Sequence, residues 1–100
     1  MKVKIPFKER FREPMLKGVK KWTSRTKRCG HVNDEFEAFG QTFVITKVEK
    51  MLLRHVAKNY IEEGFTSEDE LIAFWNKLHP RKGFQPSQLV WVHEFQMVIE

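Results

Sequence analysis

Residues Thr42–Leu53 read TFVITKVEKMLL, and the period of the chain changes directly after them. β-branched side chains crowd this stretch, and they fit a pleated, half-buried surface better than a helix, so it is expected to be the main strand. His55–Phe65, HVAKNYIEEGF, then sets Val56, Tyr60 and Ile61 at helical intervals and stops at Gly64. A strong strand running into a helix places the chain in the α+β class, and the flanking segments extend that pattern in both directions.

Upstream, Asp34–Gly40 reads DEFEAFG and alternates polar with aromatic, and Gly40-Gln41 is the expected hairpin turn. Downstream, Thr66–His79 reads TSEDELIAFWNKLH and is the clearest helix. Ser67 and Glu70 have capping-box spacing, while Glu68 and Asp69 suit the positive end of the helix dipole. Leu71, Phe74, Trp75 and Leu78 form one apolar stripe, and Pro80 ends the segment. Leu89–Ile99, LVWVHEFQMVI, is the closing strand. Near the start, VKIPF (residues 3–7) alternates, but Pro6 confines it to a sheet edge. Glu9–Lys17, ERFREPMLK, is a short helix that Pro14 limits and Gly18 terminates. Val19–Arg25 is extended, and Lys27–Asn33 is a loop. The sum is a single domain over residues 1–100, α+β, around a small, strongly curved sheet or barrel.

The net charge of +5 is unevenly spread. Residues 1–28 hold eleven Lys or Arg against Glu9 and Glu13, an excess of +9, and the remainder carries −4. A basic segment interleaved with aromatic and turn residues suits an anionic partner. One cysteine, Cys29, excludes an internal disulfide, and the N-terminus MKVKIPFKERF lacks the apolar run of a secretion signal. The expected setting is cytoplasmic. No segment reaches the ~20 apolar residues of a membrane-spanning helix. His31, His55, His79 and His93 are dispersed, without paired-ligand spacing, so no metal is expected. No phosphate-binding loop or dinucleotide fingerprint is present, and no cofactor is expected.

The candidate site lies in LKGVKKWTSRTKR (Leu16–Arg28). Strand alternation puts Lys21, Thr23 and Arg25 on one face, and Lys20, Trp22 and Ser24 on the other. A face carrying Arg, Lys and a hydroxyl can grip phosphate or a planar polar ligand. Trp22 is expected in the core and His93 in a structural role. Glu62 and Glu63, at the negative end of a helix, sit against local preference, which marks them as candidates.

In this order, GVKKWTSR (Gly18–Arg25), YIEEGFTSEDELIAFW (Tyr60–Trp75) and VWVHEF (Val90–Phe95) resemble the ASCH domain, the activating-signal-cointegrator homology domain of the PUA-like superfamily. The resemblance implies a small PUA-like β-barrel, a curved mixed sheet of about five to six strands with two to three peripheral helices. It also implies a basic cleft for RNA or a modified nucleoside. One branch of small bacterial members hydrolyses N4-acetylcytidine to cytidine and acetate with a Lys, a Thr three residues later and a Glu. By that match Lys20, Thr23 and Glu63 are the catalytic candidates. Lys21, Arg25, Lys27 and Arg28 are the candidates for binding ligand or RNA. This chain departs from the branch at Lys21, where the branch has Thr. Strict alternation also separates Lys20 from Thr23, so either Lys20 lies in the turn after Gly18 or Lys21 is the partner of Thr23. Two functions remain open at this point, an RNA-binding module and an amidohydrolase.

Overall fold

The computed structural model describes residues 1–99. Four strands, β1 (Trp22–Arg25), β2 (Glu35–Ala38), β3 (Gln41–Leu52) and β4 (Leu89–Met97), form one curled antiparallel sheet in the order β1-β4-β3-β2. Three helices accompany it: α1 (Arg12–Leu16), α2 (Leu53–Lys58) and α3 (Glu68–Leu78). A 3-10 turn at Glu9–Phe11 leads into α1. The expectation of a mixed sheet of five to six strands is therefore corrected to four antiparallel ones. The N-terminal stretch adds only an isolated parallel bridge, Lys2 to Glu35, because Pro6 cannot donate to a ladder.

β3 is the long strand that TFVITKVEKMLL announces, and it pairs with β4 along most of its length. Ile45 faces Phe95 but Lys47 faces Glu94, leaving Thr46 as an extra residue. This bulge bends the strand and shifts the core-facing set from Phe43 and Ile45 to Val48. The β2–β3 hairpin turns one residue earlier than expected, at Phe39 (φ 53°) and Gly40 (φ 79°), with Ala38 opposite Gln41. Two positive φ values in a two-residue loop are the geometry whose twist matches the flanking strands.

Two aromatic clusters fill the interior. Phe36, Phe43 and Phe95 sit with ring centroids 5.4–5.6 Å apart, and Phe7 packs onto them. Phe11, Phe65 and Phe74 form the second, with Arg10 over its rings. Each fully buried Phe removes enough apolar area from water to contribute about 1.5–3 kcal/mol. α3 starts as expected: the Ser67 hydroxyl accepts from the Glu70 N–H (3.1 Å), while the Glu70 carboxylate accepts from the Thr66 N–H (2.8 Å). α2 is shorter than expected and ends at Lys58, so Glu62 and Glu63 lie in the turn beyond it and not at a helix end. Among the described residues no helix is long and apolar enough to cross a membrane.

Candidate functional site

The turn after α2 is tied to the start of β1. The main-chain carbonyl of Glu62 accepts from the N–H groups of both Lys21 and Trp22 (2.8 and 2.9 Å). This places Glu63 beside Lys20. Gly18 (φ +75°) ends α1, after which the N–H groups of Val19 and Lys20 both donate to the Pro14 carbonyl. Lys20 therefore lies in a turned segment before β1, and strand alternation does not reach it. Lys20 and Thr23 line the same cavity, and Lys20 also borders a smaller depression that Lys21 lines with Gly18, Thr46 and Glu94.

The cavity measures about 660 Å³. Lys20, Thr23, Ser24, Arg25 and Glu63 supply its polar part, and Lys20, Thr23 and Glu63 are all buried. The Lys20 ammonium donates to the main-chain carbonyls of Trp22 (2.8 Å) and Glu63 (2.6 Å) and lies 3.6 Å from the Glu63 carboxylate. Burial pushes its pKa down to about 8, with the Arg25 and Arg10 cations acting in the same direction and Glu63 opposing. A neutral amine has two hydrogens, which the two carbonyls occupy, so its lone pair is left for a proton.

Thr23 Oγ1 accepts from Arg25 Nε (3.0 Å), which leaves the Thr23 hydroxyl hydrogen to be given elsewhere. Arg25 is anchored by a second bond to the Pro6 carbonyl (2.7 Å) and lies over the Phe7 ring. Its own pKa is lowered, first by burial. The Ser24 hydroxyl donates to Glu63 Oε2 (2.5 Å) and so orients the carboxylate. Ser24, placed by alternation on the far side of the strand, thus reaches the site, and nothing in its spacing signalled this.

The remaining wall is apolar and aromatic. The α3 stripe Leu71, Phe74, Trp75 and Leu78 faces the cavity, together with Phe11 and Phe65. His79 also lines the cavity, its ring tilted against Trp75 with centroids 4.5 Å apart. These residues were legible as a helix face but not as a cavity wall, because the same pattern serves an ordinary core. Of the expected binding residues, Arg25 and Lys27 line the cavity. Lys21 and Arg28 do not. Arg28 instead bonds the Gly30 carbonyl (2.9 Å) and lies over Trp91. Trp22 is half-buried against the core, with its indole N–H donating to Glu94 (3.1 Å). His93, fully buried, accepts from the Cys29 N–H (2.9 Å) through Nε2 and bonds the Thr23 carbonyl (3.2 Å) through Nδ1. It braces the strand behind Thr23, the structural role expected of it. No cluster of metal-ligating side chains occurs among the described residues.

No family model matches the chain, and neither does any curated protein. Solved structures do. The ASCH domain from Lactobacillus crispatus JV V101 superposes with a TM-score of 0.59 at 15% identity, covering 86% of this chain and 69% of that one. Protein EF3133 from Enterococcus faecalis V583, of the family DUF984, gives 0.64 at 21% identity over 89% and 67% of the two chains. Hypothetical protein PH0355 gives 0.72 at 16% identity over 98% and 100%. At such identities the likeness is one of backbone architecture, and on that likeness this chain has the fold of an ASCH domain.

Proposed function

We propose that this chain is an amidohydrolase acting on an N-acylated cytidine-type nucleoside, N4-acetylcytidine being the simplest substrate of the class. One observation supports the reading: Lys20, Thr23 and Glu63, drawn from two segments 40 residues apart, line one cavity with Arg25 beside them. In this scheme the Thr23 hydroxyl attacks the acyl carbon and gives its proton to neutral Lys20. Arg25 stabilises the oxygen that becomes negative. The C–N bond then breaks, and the amine leaves with the proton returned from Lys20 by way of Glu63. Water, deprotonated by Lys20, hydrolyses the resulting Thr23 ester, releasing the carboxylic acid and restoring the hydroxyl. The aromatic wall formed by Phe11, Phe74 and Trp75 suits a planar base and an apolar acyl group.

The test is release of cytidine from N4-acetylcytidine by the wild-type chain, by Thr23→Ala and by Lys20→Ala. Each variant is expected to lose about 10²–10⁴-fold in kcat, the range of acid–base and nucleophile deletions. A wild-type chain without turnover refutes the substrate, and variants with undiminished turnover refute the roles.

The second reading is RNA binding without turnover, favoured by the +9 excess in residues 1–28. It requires affinity that falls steeply as salt rises. Binding that is indifferent to salt counts against it.

A further inference from the structure

The cations of the cavity fall into two depths. Lys20 is buried at the floor, engaged by two carbonyls and Glu63. Lys8, Thr26 and Lys27 also line the cavity but are exposed, so they form its mouth, with half-buried Arg25 between the two levels. Among the described residues no carboxylate pairs with Lys8, Arg25 or Lys27. Glu63 is the one acidic lining residue, and it is already engaged by Ser24 and Lys20. Four cations therefore face one occupied carboxylate, and the uncompensated charge is concentrated at the opening. An uncharged nucleoside would fill the aromatic interior and leave those cations without a partner. The volume of about 660 Å³ leaves room for more than a base and a sugar.

We propose that the mouth formed by Lys8, Thr26 and Lys27 is a phosphate subsite, so that the ligand of this cavity is a nucleoside carrying a phosphate group. The inference rests on the nucleoside reading of the interior. The phosphate oxygens accept from the two ammonium groups and the Thr26 hydroxyl, and Arg25 lies just inside them. The phosphate belongs either to a free nucleotide or to an RNA chain whose base enters the cavity, and the chemistry at the mouth is common to both.

The experiment is equilibrium binding of cytidine, cytidine 5′-monophosphate, cytidine 3′-monophosphate and a short cytidine-containing oligoribonucleotide to the intact chain, at low and moderate salt. At least one monophosphate is expected to bind roughly tenfold or more tightly than cytidine, the gain from one charge-assisted contact. In a Lys8→Gln/Lys27→Gln variant that ratio is expected to collapse towards one. A monophosphate that binds no better than cytidine overturns the subsite while leaving the nucleoside reading standing. A ratio unchanged in the double variant also overturns it. Binding of the phosphorylated ligands without binding of cytidine keeps the subsite and removes the nucleoside as a sufficient ligand. An oligoribonucleotide that binds more tightly than both monophosphates assigns the phosphate to an RNA chain, and one that binds no more tightly assigns it to a free nucleotide.

Discussion

Lys20 and Glu63 stand 43 residues apart in the chain and meet twice, through the Glu63 main-chain carbonyl at 2.6 Å and its carboxylate at 3.6 Å. The carbonyl bond holds the amine whatever its charge, and the carboxylate favours its protonated form. Burial outweighs the carboxylate, which is why the Lys20 pKa falls to about 8.

Amide hydrolysis by this chain is therefore expected to rise with pH and to level off above about 8. The sign follows from the proposed role, in which the neutral amine is the base, because the fraction of neutral amine falls below that pH. Lys20→Arg keeps a cation that does not deprotonate in this range. It is expected to cost about 10²-fold or more in kcat and to abolish the rise. A pH–rate profile of the wild-type chain that is flat from pH 6.5 to 9 would contradict Lys20 as the base.

Gly64→Ala tests the packing that places this lysine. Gly64 has φ +93°, and a Cβ there would lie 3.0 Å from both Cβ and Cδ of Lys20. The substitution combines left-handed strain with a clash against a buried stem, at an expected cost of about 1–3 kcal/mol. Chemical denaturation measures the cost. The same variant should lose activity beyond what its folded fraction explains, because the lysine must shift.

His93 makes stability depend on pH. Nε2 accepts from the Cys29 N–H, so Nδ1 carries the hydrogen and donates to the Thr23 carbonyl, an arrangement available only to the neutral ring. Its pKa is lowered, first by burial, then by Arg25 and Arg28, with the Thr23 carbonyl and Glu63 opposing. The unfolded chain takes up this proton near pH 6.5 and the folded chain does so only at lower pH. The contribution is thus complete above about pH 6.5 and is lost as pH falls through the folded-state pKa. Thermal unfolding between pH 7.5 and 5 should show Tm declining, and His93→Gln should flatten that slope. An identical slope in the variant would remove His93 as its source.

Ser67→Ala separates stability from the site. The Ser67 hydroxyl caps α3 through the Glu70 N–H and does not line the cavity. Its loss should cost about 0.5–2 kcal/mol in denaturation while ligand affinity of the folded fraction stays unchanged. A large drop in affinity would mean that α3 carries the aromatic wall less rigidly than its packing implies.

Much of the architecture was legible locally. TFVITKVEKMLL announced β3, the Ser67–Glu70 pair announced the start of α3, and Gly18 marked a real stop. The errors were of range and count. Glu62 and Glu63 read as the end of a helix, but α2 stops at Lys58 because the following residues turn to reach β1. The hairpin moved to Phe39-Gly40, since local propensity does not forbid Phe a positive φ when the flanking strands demand it. Alternation does not reach Lys20, because it holds only inside a strand and β1 begins at Trp22.

Sequence by itself determined the α+β class and the basic N-terminal quarter. These follow from local periodicity and composition, which a linear chain displays, whereas Lys20, Thr23 and Glu63 were singled out as catalytic candidates only by the family resemblance. That Lys20 shares a cavity with Thr23, that Ser24 reaches Glu63 and that the α3 stripe lines that cavity were decided only by tertiary structure. Each depends on a contact between segments tens of residues apart, above all the Glu62 carbonyl that receives Lys21 and Trp22. Such a contact is set by how the whole sheet curls and packs, and no local pattern encodes it.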